Sequence, residues 1–255
     1  MHRVERHEGD ILHPERESRA TLDEIKRRIG SRNFSAQYQQ APVPADGNMI
    51  KRGWLRTCPT MPPRDAFTSV LASWDVATKT NGGADYSVGT VWGSYENRYY
   101  LLDLVRGRWE FPDLARQVEA QAGIWRPNVV AIEDANTGSA LIQHLQGRPS
   151  FSVVGVKPRL SKDVRAAQQL PLFEAARVLL PTEAPWLDDL IAELTAFPNG
   201  RHDDQVDSVI QALQQLEERA GEWDGKWEPV NLWRPSPWGE MPGRLSSDRY
   251  WLSRG

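Results

Sequence analysis

Arg201-His202-Asp203-Asp204-Gln205-Val206-Asp207-Ser208 packs three carboxylates into five residues and opens the apolar run Val206, Val209, Ile210, Leu213, Leu216. Spacings of three and four set one helix face on a core. Asn199-Gly200 upstream is a turn signal, which puts Asp203 or Asp204 at the N-cap. An aspartate there caps free amides and suits the helix dipole. Capping needs only one aspartate, however, and Asp204 and Asp207 lie one turn apart on a shared face. Carboxylates crowded this way repel by roughly 1–4 kcal/mol per pair at 4 Å, depending on the local dielectric. A hard divalent cation is the usual remedy.

Composition narrows the setting. Hydrophobic residues at 40% and charged residues at 25% of 255 are ordinary for a globular protein. A single cysteine, Cys58, excludes an internal disulfide and a cysteine-built zinc site, and fits a reducing cytoplasm. No apolar run approaches membrane-spanning length, and the charged N-terminus lacks a signal-peptide core. A net charge of −3 means that nucleic-acid contact must come from a local basic patch. Tryptophan is frequent at 11, and Trp223, Trp227, Trp233, Trp238 and Trp251 are scattered through a tail, 220–255, without any period.

Working outward, residues 1–65 read as an arm and linker. Thr21 to Glu24 reads as a capping box leading a short helix through Ile25 and Ile29 that closes at Gly30. The Pro/Gly segment from Ala41 to Gly47 follows. The globular unit, 66–219, begins with a buried-type strand, Thr68 to Asp75. A turn at Asn81-Gly82-Gly83 and two alternating strands, Tyr86 to Trp92 and Tyr99 to Val105, complete a three-strand meander. A helix from Phe111 turns Leu114, Val118 and Ile124 inward. Asn128 to Glu133 is a second buried strand, and a helix with Leu141, Ile142 and Leu145 inward follows. Ser152 to Val156 is another strand, Ser161 caps a helix carrying Val164 and Leu170, and an amphipathic helix spans Trp186 to Phe197. The order predicts an α/β fold: a mixed sheet of the meander plus two further strands, flanked by helices.

Asp75 and Glu133 each end a predicted central strand, where open α/β sheets bind ligands. Together with the aspartate-rich helix start they suit two-metal phosphodiester hydrolysis. There two cations about 3.5–4 Å apart need several acidic ligands, one metal activating water and the other steadying the leaving oxygen. All-oxygen ligation favours Mg²⁺ or Mn²⁺. A glycosidase would need two carboxylates of opposed protonation, and a calcium loop would need tight D-x-D-x-D-G spacing. Lys157, Arg159, Lys162 and Arg165 cluster after a strand, either as phosphate contacts or as a solvated face. His202 is a candidate for orienting water or touching phosphate. Asp85, across the turn from Asp75, is a candidate for reaching the cations or the groups around them. Asp134 follows Glu133, and strand alternation directs it away.

Ser73-Trp74-Asp75-Val76-Ala77, Ala84-Asp85-Tyr86-Ser87-Val88, Ile132-Glu133-Asp134-Ala135-Asn136-Thr137-Gly138, Lys162-Asp163-Val164-Arg165 and Phe197 to Ser208, in that order, resemble the nuclease domain of the large terminase subunit of tailed bacteriophages. The resemblance covers roughly Ala66 to Glu218. It implies a ribonuclease-H-like fold and a metal-dependent endonuclease that cuts concatemeric double-stranded viral DNA, in the cytoplasm of a bacterial host. It also implies Asp75, Glu133 and Asp204 as catalytic metal ligands for two Mg²⁺ or Mn²⁺ ions, with Asp203 and Asp207 as further candidates. The partners it implies are the ATPase motor, the small terminase subunit and the portal. No Walker motif is present, so no ATPase activity is expected from these residues. Two other readings remain open at this level: a junction-resolvase or transposase-like nuclease of the same fold, and a non-catalytic docking module of the packaging complex.

Overall fold

A computed structural model describes residues 18–38, 47–77, 86–147 and 151–220. The turn at Asn81, Asp85, most of the Ala41–Gly47 linker and the tryptophan-rich tail lie outside those residues. In chain order the elements are α1 (Arg19–Tyr38), β1 (Arg56–Cys58), β2 (Ser69–Asp75), β3 (Ser87–Tyr95), β4 (Arg98–Gly107), α2 (Phe111–Trp125) and β5 (Val129–Glu133). There follow α3 (Thr137–Leu145), β6 (Ser152–Val156), α4 (Lys162–Glu174), β7 (Val178–Pro181), α5 (Leu187–Ala196) and α6 (Asp204–Ala220).

The strands form one sheet in the order β1-β7-β4-β3-β2-β5-β6. Its centre is the expected arrangement: the antiparallel meander β2-β3-β4, with β5 parallel to β2 and β6 parallel to β5. This is the mixed sheet of a ribonuclease-H-like fold. Two strands beyond the predicted five, β7 and β1, extend the β4 edge in parallel. Both are too short for alternation to reveal them in the sequence.

Strand parity sorts the sheet into two cores. Val70, Ala72 and Trp74 of β2 and Val130 and Ile132 of β5 pack with Leu114, Val118, Leu141 and Leu145 of α2 and α3. Leu71 faces the other way, into a core with Leu170 and Phe173 of α4, Leu190 and Leu194 of α5, and Val206, Val209, Ile210, Leu213 and Leu216 of α6. Asp75 has the parity of Leu71. Glu133 is likewise of opposite parity to Val130 and Ile132, so both acids belong to the α6 face.

Several expectations need correcting. Ile124, in the last turn of α2, and Val164 are 49% and 44% exposed, not inward. The inward stripe of α4 runs instead through Arg165, Ala166, Gln169, Leu170 and Phe173. The cap of α1 is Ser18, whose Oγ accepts from the Thr21 amide at 3.2 Å, and not Thr21. Gly30, at φ 78° and ψ 159°, is non-helical and closes the first helical segment as expected, and a second segment follows across the kink to Tyr38. The packed unit also extends upstream of Ala66: Met49 and Ile50 are buried, and the Met49 amide donates to the Phe197 carbonyl at 2.8 Å.

Candidate active site

Asp75 and Glu133 directly follow the paired residues Trp74 and Ile132 on parallel neighbours. Adjacent strands are about 4.8 Å apart, so the two carboxylates leave the same sheet edge side by side. Small residues allow this locally. Gly89 pairs with Trp74, and a Cβ there would strike the indole. At Gly138 a Cβ would collide with the Glu133 carbonyl oxygen, so the turn after β5 can fold back tightly only over glycine.

The third contributor is α6, laid across β2 and β3 by a buried polar network. Trp92 Nε1 donates to Thr90 Oγ1, whose hydroxyl lies 2.9 Å from Ser208 Oγ, and Ser208 Oγ donates to the Ser73 carbonyl at 2.9 Å. The Gln211 amide adds bonds to Ser73 Oγ at 3.0 Å and to the Trp74 carbonyl at 3.2 Å. Buried groups left unpaired would be costly, so the network holds the helix in one register.

Asp203 stands at the N-cap position of α6, as expected, and its carbonyl accepts from the Asp207 amide at 2.9 Å. The Gln205 amide is capped from a neighbouring helix. Glu193 of α5 accepts from the Gln205 amide and from the Gln205 side chain, each at 2.6 Å. Asp204 and Asp207 are both buried, and both lie near enough to Asp75 to push its carboxyl upward. Asp204 Oδ2 accepts from the Tyr86 amide at 3.4 Å.

The electrostatics register this convergence. Burial pushes the Asp75 carboxyl well above the usual range, and Asp207, Glu133 and Asp204 push it further, while Lys162 opposes them. Asp207 is raised to about 6, again chiefly by burial, against the pull of Lys162. The Lys162 ammonium lies 2.7 Å from Asp203 Oδ2 and closer still to Asp207 Oδ2. Arg165, buried on α4, stands 3.7 Å from the other Asp207 oxygen. Among the described residues no three His, Cys, Asp or Glu side chains close into a ready cage for a metal ion. The donor set itself suits a hard cation: it is all oxygen and anionic, and Asp75 is set among carboxylates whose repulsion only positive charge relieves.

The predicted basic cluster divides. Lys162 and Arg165 face the acids. Lys157, exposed, pairs with Asp134 at 3.3 Å, and Arg159 is exposed. Lys157, Arg159 and Arg165 line an open cleft of about 620 Å³ between β6, α4 and the C-terminal half of α6. His202 meets Tyr86 edge-on at 5.7 Å. The sequence reading missed Arg106 and Arg108, which hold their guanidinium groups 4.0 and 4.2 Å from the Tyr86 ring centre. The available signal was two arginines flanking Gly107 at the end of a meander strand, on the same edge as Asp75.

The sequence matches the terminase RNaseH-like domain family over residues 72–216, which takes in all three carboxylate-bearing elements. The chain belongs to this family. Solved structures agree on the terminase nuclease fold. The large terminase nuclease from thermophilic phage G20c with bound magnesium is 18% identical with a TM-score of 0.52, covering 68% of this chain and 99% of that one. Its cobalt-bound form gives 0.51 at 18% identity, with 68% and 99% coverage. The large terminase from a second thermophilic bacteriophage gives 0.60 at 12% identity over 79% of this chain but only 54% of that one. The chain thus spans about half the length of that second terminase. No curated protein matches. Among the described residues no helix is long and apolar enough to cross a membrane.

Proposed function

We propose that this terminase domain is a divalent-metal-dependent DNA endonuclease, cutting double-stranded DNA by phosphodiester hydrolysis at the Asp75, Glu133 and Asp204 edge. The observation that carries the reading is the convergence of β2, β5 and α6, which raises the Asp75 carboxyl by burial and by three neighbouring carboxylates. Asp75, Glu133 and Asp204 hold the metal, with Asp203 and Asp207 beside them. When bound, two Mg²⁺ or Mn²⁺ ions would supply an activated water and neutralise charge on the leaving oxygen.

The chain's own residues do the positioning. The Tyr86 amide steadies Asp204. Lys157 and Arg159 in the cleft, with Arg106 and Arg108 on Tyr86, flank the acids with positive charge suited to the neighbouring phosphates. The family relation supports an ATPase motor, a small terminase subunit and a portal as partners. The likeness to the second phage's large terminase, over half of a longer chain, fits a nuclease working beside such a motor.

The test is nicking of supercoiled plasmid in Mn²⁺. Asp75→Asn and Glu133→Gln should each lose at least about 100-fold in rate, since outer-shell changes alone cost 10–100-fold. Full cleavage by either folded variant rejects the reading.

A further inference from the structure

Three neighbouring strands carry Asp75, Val88 and Arg106 in register at one sheet edge. Paired residues share a face, and Val88 lies in the core beneath α6, so the Arg106 side chain rises on the face of the acids. Two strand spacings, about 10 Å, separate its backbone from that of Asp75. Tyr86, one residue before the Ser87–Gly107 pair, stands opposite Arg108. Its ring centre lies 4.0 Å from the Arg106 guanidinium carbon and 4.2 Å from that of Arg108, and His202 meets it edge-on at 5.7 Å. The Arg106 side chain is only 22% exposed, yet the 3.7 Å to Glu193 Oε2 is too long for a hydrogen bond. Its Nε is buried and, among the described residues, has no hydrogen-bond partner. A π face and a distant carboxylate thus hold this guanidinium in place, and neither takes up its fork of N–H donors.

We propose that Tyr86 is a positioning residue, whose ring holds the Arg106 guanidinium ready to grip a DNA phosphate beside the one being cut. The inference rests on the nuclease reading above and deepens it. Distance assigns the phosphate: Arg106 stands two strands away from Asp75, so its fork meets the DNA backbone next to the acids and not the reacting group. A planar fork matches two phosphate oxygens at once. An arginine free in solvent would lose rotamer freedom on gripping DNA, and the ring removes that freedom beforehand, so less affinity is lost to ordering. The Tyr86 amide, bonded to Asp204 Oδ2 at 3.4 Å, ties the same residue to a carboxylate assigned to the metal. Grip and metal site therefore keep one spacing.

Fluorescence anisotropy of a labelled duplex against the full chain in EDTA, over a series of NaCl concentrations, tests this. Arg106→Gln should weaken binding at least about tenfold and lower the salt slope by about one, the mark of one lost phosphate contact. Tyr86→Leu keeps apolar bulk but removes the π face, and should reproduce both changes. In an Arg106→Gln background it should add no further loss. Tyr86→Phe, which keeps the ring, should restore the slope. In Mn²⁺ nicking, Tyr86→Leu should raise KM and leave kcat within about threefold, because the grip is the same in ground and transition states. Tyr86→Met carries the same expectations should Tyr86→Leu not fold. A lower melting temperature with unchanged slope and affinity is what mere packing gives, and would overturn this inference while nicking lost in Asp75→Asn leaves the nuclease reading standing. Nicking that survives Asp75→Asn would overturn both.

Discussion

Ser208 Oγ donates to the backbone carbonyl of Ser73 at 2.9 Å, joining the residue after Asp207 on α6 to the residue two before Asp75 on β2. The two acids are therefore held by one short buried link and not by the long chain between them. The link continues through Thr90 to the Trp92 indole. Ser208→Ala removes the acceptor for the Thr90 hydroxyl in a site without water access. It should cost about 1–3 kcal/mol in urea unfolding. Cleavage should fall with it, because α6 loses its register against β2.

Glu193 caps the start of α6 from a neighbouring helix. Glu193→Ala leaves the Gln205 amide and side chain unpaired at the start of α6. A loss of about 1–2 kcal/mol is expected, as for removal of a strong N-cap, read as a lower denaturation midpoint at unchanged slope.

Gly138 tests the turn that presents Glu133. Gly138→Ala must move either the Glu133 carbonyl or the start of α3. The expected result is about 1–3 kcal/mol of destabilisation, as for overpacking, together with weaker Mn²⁺ binding in calorimetry. Gly123→Ala, in the open last turn of α2, is the control, since a Cβ there meets nothing.

The acid cluster costs the metal-free chain stability at neutral pH. Asp207 has a folded pKa of about 6 against an ordinary 3.8, and Asp75 is raised in the same direction. Between those values the folded state holds protons that the unfolded chain has released, so stability falls as pH rises through the folded pKa. In EDTA the chain should be more stable near about pH 5 than near about pH 7.5, and saturating Mg²⁺ should flatten that slope. Asp75→Asn in EDTA should raise stability at neutral pH by on the order of 1 kcal/mol. A drop would mean that Asp75 serves the fold and not the ion.

Periodicity made much of the fold legible. The α6 stripe, the meander and the two buried strands ending in Asp75 and Glu133 stand where spacing puts them, because period-2 and period-3.6 patterns are local properties of the chain. Strands β1 and β7 carry three and four residues, too few for a pattern, and exist through pairing with β4 and with each other. Val164 fails for a related reason: the inward face of α4 is chosen by Arg165 and Gln169, whose polarity hides their burial until their partners are known.

The chain by itself determined which acids end which elements, the parity that sends Asp75 and Glu133 to one face, and the family. Only the tertiary structure decided that Glu193 caps α6, that Lys162 lies between Asp203 and Asp207, and that Arg106 and Arg108 gather on Tyr86. Each of these joins elements distant in sequence, and an ion pair or hydrogen bond between such elements depends on through-space distance that no local pattern encodes.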